Sequence, residues 1–225
     1  KWDFGDGNIT STTEKIITHS YTSEGDYDVN LTITDNSSTT NSTTRSVQVV
    51  LIDITIDLYT GWNLISLPLM PEETSIAFVL SPINGNYSII WEYNASDSSD
   101  HWKKYDPGVP FGNDLTNMEP GKGYWILMTS DNTLPISGTV PESTDIVLKT
   151  GWNLIGYNSL DSQPVAEALS SISGNYSIVW TYNASDTADH WKKYDPSVPF
   201  VNDLTTVEPG KGYWIMMTSD DILET

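Results

Sequence analysis

The residues able to do chemistry in this sequence are acidic side chains, three histidines and a dense set of aromatic rings. Asp97 and Asp100 share a loop rich in Asn and Ser, and Asp186 and Asp189 share a matching loop. Calcium takes several oxygen ligands from a flexible polar loop, so each Asp-x-x-Asp loop is a candidate calcium site. The EF-hand pattern is not met, and the same residues suit a solvated turn. No other cofactor is expected. His19, His101 and His190 lie far apart along the chain. They suggest neither a zinc site nor a base beside a nucleophile. The absence of cysteine removes disulfides, thiolate zinc sites and thiol nucleophiles. Pro120-Gly121-Lys122-Gly123 and its second copy lack the spacing of a phosphate loop and lead into strands, not helices. No G-x-S-x-G occurs. With 30 acidic residues, a carboxylate pair for glycoside hydrolysis cannot be picked out by spacing. No catalytic residue is assigned, and the expectation is a chain that is not an enzyme.

Nine Trp and twelve Tyr invite a second reading, because sugars stack on exposed rings. Most of these rings fall in strand-like segments, where core packing is the commoner fate. Trp102 and Trp191, each beside a His and two Lys, are the pair expected to be partly exposed and to bind carbohydrate. Asn-x-Ser/Thr sequons stand at Asn8, Asn30, Asn36, Asn41, Asn86, Asn94, Asn175 and Asn183. Asn94 and Asn183, in polar loops, are the best glycosylation candidates. Asn30 falls on the polar face of a strand. A composition rich in Asn, Ser and Thr also produces sequons that are never used.

A formal net charge of −20 repels phosphate backbones, so nucleic acid is not an expected partner. Solubility or salt tolerance explains the same acidity. No apolar run is long enough for a membrane span. Lys1-Trp2-Asp3 has the look of a mature or trimmed start, with any export signal or anchor lying outside the chain.

The elements that must position these residues are mostly strands. Tyr27, Val29, Leu31 and Ile33 alternate with polar residues, and Ser46 to Leu51 forms a further strand. From residue 52 the chain repeats itself. Gly61-Trp62-Asn63-Leu64-Ile65 recurs at 151–155, Asp100-His101-Trp102-Lys103-Lys104-Tyr105 at 189–194, and Pro120-Gly121-Lys122-Gly123-Tyr124-Trp125-Ile126 at 209–215. In the first copy the sequence predicts strands at 62–69, 88–93, 102–105, 123–128, 134–140 and 144–149; the second copy stops early, at Ile222-Leu223, where the counterpart of 134–140 should begin. Ile76, Val79, Leu80 and Ile83 take helical spacing, as do Val165, Ala168, Leu169 and Ile172, with Ser162 a candidate cap. Glu119-Pro120-Gly121-Lys122 fits a type II turn. Ile54, Ile56 and Leu58 alternate and are expected to pair with the second copy, closing the tandem.

Trp2-Asp3-Phe4-Gly5-Asp6-Gly7, His19-Ser20-Tyr21 and Gly25-Asp26-Tyr27-Asp28-Val29-Asn30-Leu31 together resemble the later part of a PKD domain, an immunoglobulin-like β-sandwich. The resemblance implies an extracellular spacer or adhesion module, found in archaeal surface proteins and beside catalytic domains of secreted hydrolases, with no catalytic residues. It also implies that strands outside this chain complete the sandwich. The Gly-Trp-Asn-Leu-Ile…Pro-Gly-Lys-Gly-Tyr-Trp pattern resembles repeat modules in surface proteins of methanogenic archaea. The expected fold is all-β: a partial PKD sandwich at 1–51, a β-rich module at 52–148 and a similar one at 149–225, each module with one short helix. The expected function is a structural or adhesive cell-surface glycoprotein, in a surface layer or filament, with copies of itself, envelope proteins or surface polysaccharide as partners. The alternative is the accessory carbohydrate-binding region of a secreted hydrolase.

Overall fold

A computed structural model of the chain describes residues 1–21, 23–109, 111–141 and 145–225. The fold is all-β, as expected. In the first part, strands β1 (Trp2–Asp3), β2 (Ile9–Thr10), β3 (Gly25–Thr34) and β4 (Thr40–Val49) form one antiparallel sheet in the order β2-β1-β3-β4. Its best-buried apolar side chain is Phe4, which stacks on His19 at 3.9 Å between ring centroids. His19 Nε2 also lies 2.7 Å from Asp6 Oδ2. Burial pulls the Asp6 carboxyl up, but hydrogen bonds from the Asn8 amide and His19 outweigh it and hold the carboxyl down at about 2.

The remainder is two modules of one design. The first contains β5 (Ile52–Leu58), β6 (Gly61–Ser66), α1 (Ile76–Val79), β7 (Tyr87–Tyr93), β8 (Trp102–Tyr105), β9 (Gly123–Met128) and β10 (Asn132–Gly138). The second contains β11 (Ile146–Leu148), β12 (Gly151–Gly156), β13 (Gln163–Pro164), α2 (Val165–Ala168), β14 (Tyr176–Tyr182), β15 (Trp191–Tyr194), β16 (Thr206–Val207), β17 (Gly212–Met217) and β18 (Asp221–Leu223). Each has a four-stranded antiparallel sheet, ordered β6-β9-β7-β8 and β12-β17-β14-β15. Each helix is a single α turn followed by a 3₁₀ turn; Pro164, and not Ser162, holds the N-cap of α2, without a side-chain cap. No helix among the described residues is long and apolar enough to cross a membrane.

Two expectations are corrected. Strand β5 pairs along its whole length with β10 of its own module, from Ile52↔Gly138 to Leu58↔Asn132, and not with the second copy. Ile56 and Leu58 then share the first core with Leu134 and Ile136. Strand β11, assigned by sequence to the first module, pairs with β18, and Ile146 and Leu148 lie in the second core. The boundary between modules therefore precedes Ile146. Ser143 and Thr144, expected at the start of that strand, lie outside the described residues.

Each sheet buries one face. In β9, alternation sends Tyr124, Ile126 and Met128 inward and Trp125 to the opposite face. In β7 a bulge between Tyr87 and Ile89 shifts the parity, so Tyr87 and Ile90 both face the core and Trp91 faces away. Each fully buried Leu or Ile contributes roughly 1.5–3 kcal/mol to the fold. The Gly-Trp-Asn motif follows the same logic. Asn63 is buried and its amide ties the preceding turn, accepting from the Tyr59 N–H (2.9 Å) and donating to the Gly61 carbonyl (3.1 Å). Asn153 does the same around Lys149 and Gly151.

The modules meet through the same surface on each. Isolated antiparallel bridges join Ile65 to Lys211 and, reciprocally, Ile155 to Lys122. The Ser66 N–H donates to the Gly210 carbonyl (2.9 Å), and the Gly156 N–H to the Gly121 carbonyl (3.1 Å). There is no room there for side chains. A Cβ on Gly123 would lie 2.8 Å from the Ile155 carbonyl oxygen, one on Gly212 would lie 2.9 Å from Leu64, and one on Gly156 would overlap Ser66. Gly123→Ala and Gly212→Ala are therefore expected to destabilise the chain by about 1–3 kcal/mol each, as overpacking does. Urea unfolding followed by circular dichroism checks this; unchanged midpoints would show that the modules are not in register at these glycines.

Candidate ligand-binding grooves

Every Trp from Trp62 onward lies on the sheet faces turned away from the two cores, and neither core contains a Trp. This corrects the expectation that most aromatic residues pack inside. The buried rings are tyrosines: Tyr87 and Tyr124 in the first core, Tyr157, Tyr176 and Tyr213 in the second. Tyr124 and Tyr213 have a specific task. The Glu119 N–H donates to Tyr124 Oη (2.8 Å) and the Glu208 N–H to Tyr213 Oη (2.7 Å), which fastens each Pro-Gly turn to its core. The positive φ of Gly121 (81°) and Gly210 (79°) is what a type II turn requires at that position.

The indoles form two chains that cross between modules. Trp62 meets Trp125 edge-on (6.0 Å, 88°), Trp125 meets Trp191 of the other module (5.8 Å, 63°), and Trp191 meets Trp180 (6.1 Å, 87°). The second chain repeats the first: Trp152 to Trp214 (6.1 Å, 90°), Trp214 to Trp102 (5.9 Å, 61°), and Trp102 to Trp91 (6.2 Å, 89°). Edge-to-face contact at these separations is the favourable arrangement of ring quadrupoles. The result is a pair of open grooves of about 670 and 680 Å³. One is walled by Trp62, Trp91, Trp102 and Trp125 of the first module and by Tyr182 and Trp191 of the second. The other has the equivalent six, Trp152, Trp180, Trp191, Trp214, Tyr93 and Trp102. Trp62, Trp102, Trp152 and Trp191 remain between 39% and 42% exposed, so these rings are available to a ligand. Trp102 and Trp191, the two rings singled out by sequence, each line both grooves; the other six Trp, and Tyr93 and Tyr182, were missed. Alternation sets Trp125 out of phase with Tyr124 and Ile126, and Trp214 with Tyr213 and Ile215, but it does not say which phase is buried, and in β7 the bulge leaves Trp91 in phase with the buried Tyr87.

Among the described residues no charged side chain lines either groove. Lys193 Nζ stands 6.0 Å from the Trp180 ring centroid, within cation–π range. A polar cleft adjoins each groove. Tyr182 separates the first groove from a cleft holding Asp57, Asn183, Ser185 and Lys211, and Tyr93 separates the second from a cleft holding Asn94, Ser96 and Lys122.

The loops expected to hold calcium are arranged otherwise. Lys103 Nζ lies 2.9 Å from Asp97 and 3.5 Å from Asp100, and Lys192 Nζ lies 2.8 Å from Asp186 and 3.4 Å from Asp189. A lysine ammonium stands where the cation was expected. The Ser99 hydroxyl and Lys103 hold the Asp97 carboxyl well below the usual carboxylate range. Among the described residues no three His, Cys, Asp or Glu side chains gather as a metal site. His101 and His190 are structural: each bonds a backbone carbonyl through Nδ1 (3.0 Å), of Asn94 and Asn183 respectively, and stacks on Tyr93 or Tyr182.

Among the sequons, Asn8, Asn36 and Asn41 are exposed. Asn94 and Asn183 are half-buried, with Oδ1 accepting the backbone N–H two residues on. Asn30 Nδ2 donates to Thr44 and Asn175 Nδ2 to Asp221, while Asn86 Oδ1 accepts from Ser130.

One ion pair, between a buried carboxylate and a partly exposed lysine, distinguishes the modules. Glu92 is 4% exposed and lies 3.1 Å from Lys122 Nζ, which also meets Glu119 at 3.1 Å. The second module has Thr181 at that position, its hydroxyl donating to the Gly212 carbonyl (2.8 Å). Burial pushes the Glu92 carboxyl above its usual range, and attraction to Lys122 offsets only part of that.

Residues 1–51 match the family of PKD domains. Over 50 residues the chain is 42% identical to collagenase ColA of Clostridium perfringens (strain 13 / Type A), a stretch that is 22% of this chain and 4% of that protein. The chain thus spans a small fraction of that relative. No solved structure matches the chain.

Two outcomes follow from the site's electrostatics. With lysines filling both Asp-x-x-Asp loops, melting curves in millimolar calcium and in chelator are expected to coincide; a rise in Tm with calcium would contradict the lysine-bridged arrangement. Glu92 binds its proton more tightly in the folded than in the unfolded state. Its ionisation therefore costs stability as pH rises from the unfolded value of 4.5 through the raised folded value, and costs nothing below 4.5. Glu92→Gln is expected to remove that slope and to melt no lower than the parent at neutral pH, since Lys122 is partly exposed and keeps Glu119. A steep loss of Tm at neutral pH would show the pair to be net stabilising.

Proposed function

We propose that this chain is a non-catalytic, adhesive region of an extracellular protein, and that its two Trp grooves hold neutral polysaccharide. The observation that carries the reading is the grooves themselves: half-exposed indoles, walled jointly by both modules, with no charged residue in the lining among the described residues. A pyranose presents a flat C–H face that stacks on an aromatic ring, while its hydroxyls project from the ring edge. In an open groove those hydroxyls stay in water, so the wall need not supply a partner for each one. The polar clefts beyond Tyr93 and Tyr182 offer hydrogen bonds to the sugars at the groove ends. The formal charge of −20 disfavours anionic polysaccharides and favours neutral ones.

The PKD match at 1–51 supports an extracellular setting. The likeness to a segment of a collagenase is consistent with an accessory region beside a hydrolase; a place in a cell envelope is the other setting for such a region. In either setting the chain contributes attachment, with glycans at its own exposed sequons and no chemistry at the grooves.

Affinity electrophoresis and pull-down against cellulose, chitin, mannan, xylan and β-1,3-glucan test this. Retention by at least one is expected, with Trp102→Ala/Trp191→Ala losing it while keeping the parent's far-ultraviolet circular dichroism. Proline-rich peptides also dock in aromatic grooves. Failure to bind every polysaccharide, or capture of a polyproline peptide in their place, would overturn the carbohydrate reading.

A further inference from the structure

We infer that the grooves are two equivalent binding sites with a common wall, so that one molecule joins two neutral polysaccharide chains. This rests on the carbohydrate reading above and concerns how many chains are held. The module interface is reciprocal: Ile65 meets Lys211 as Ile155 meets Lys122, and the Ser66-to-Gly210 hydrogen bond has its counterpart from Gly156 to Gly121. A self-complementary interface of this kind presents every surface feature twice. The grooves obey it in detail. Each takes four Trp from one module and a Tyr and a Trp from the other, at equivalent positions.

The two grooves do not merge into one track. Trp102 and Trp191 stand between them. Trp102 touches Trp91, which lines only the first groove, and also Trp214 and Tyr93, which line only the second. Trp191 touches Trp180 of the second groove and also Trp125 and Tyr182 of the first. Each shared ring thus serves both sites. By contrast, Trp62 belongs to the first groove alone and Trp152 to the second alone. Both are about as exposed as the shared rings, at 39% and 40%, so replacing them leaves the cores intact. Two sites on one rigid body bring two polymer chains together, and avidity then exceeds the affinity of either site.

Isothermal titration of the full chain with cellohexaose, chitohexaose, mannohexaose, xylohexaose and laminarihexaose separates the possibilities. The bound hexasaccharide is expected at two per protein. Trp62→Ala and Trp152→Ala are each expected to leave one site unchanged and to weaken the other about tenfold or more, the scale of a lost Trp contact. Trp102→Ala weakens both. The parent protein cross-links the corresponding long polysaccharide into a precipitate, and the two single-groove variants do not. One hexasaccharide per parent molecule, or loss of all binding in Trp62→Ala alone, would overturn the two-site inference while leaving the carbohydrate reading intact. Trp62→Leu and Trp152→Leu replace any alanine variant that fails to fold. No binding of any of the five sugars would overturn both.

Discussion

Three positions without side chains set the distance between the two modules. At Gly123, Gly156 and Gly212 the backbone of one module lies against the backbone or side chains of the other, at separations that no Cβ could occupy. This contact allows the reciprocal hydrogen bonds at Ser66 and Gly156, and it brings Trp125 against Trp191 and Trp214 against Trp102. A module on its own would carry four exposed indoles on an open sheet face. The pair carries two walled grooves, and neither has all its walls without the other module.

The duplication also explains why so much aromatic surface stays out of the cores. Each sheet is apolar on both faces, and only one face can be covered by the helix, the outer strands and the loops of its own module. Apolar patches of this size on a protein surface mark interaction sites more often than chance exposure. Edge-to-face packing fixes the rings before any ligand arrives, which lowers the entropy cost of binding. The buried Tyr124 and Tyr213, gripping the Pro-Gly turns, hold the ends of β9 and β17 where the modules meet. Stability and the site are therefore built from the same strands, with Ile126 and Trp125 adjacent in sequence and opposite in role.

Much of this was legible in the residues. The repeat, the Gly-Trp-Asn and Pro-Gly-Lys-Gly signatures, the short helices and the PKD-like opening all predicted elements that the structure contains. Alternation could not say which face of a two-sided apolar strand is the core, so the fate of Trp91 and Trp125 was hidden. The bulge in β7 changes parity and leaves no signal in a sequence pattern of period two. Pairing partners were equally hidden. Ile54, Ile56 and Leu58 alternate correctly for any antiparallel neighbour, and only the turn held by Asp131, which accepts from Thr60, selects β10. The calcium reading counted the carboxylates of each loop and left out Lys103 and Lys192, which pair with them.

The central claim is that both modules' indoles form one ligand-binding surface. Indole N–H resonances of the native chain, followed by NMR during titration with a bound oligosaccharide, address it directly. The account predicts that signals from Trp62, Trp102, Trp125, Trp152, Trp191 and Trp214 move together while that of Trp2, in the PKD-like sheet, stays fixed. A shift confined to Trp2, or to the indoles of a single module, would contradict it.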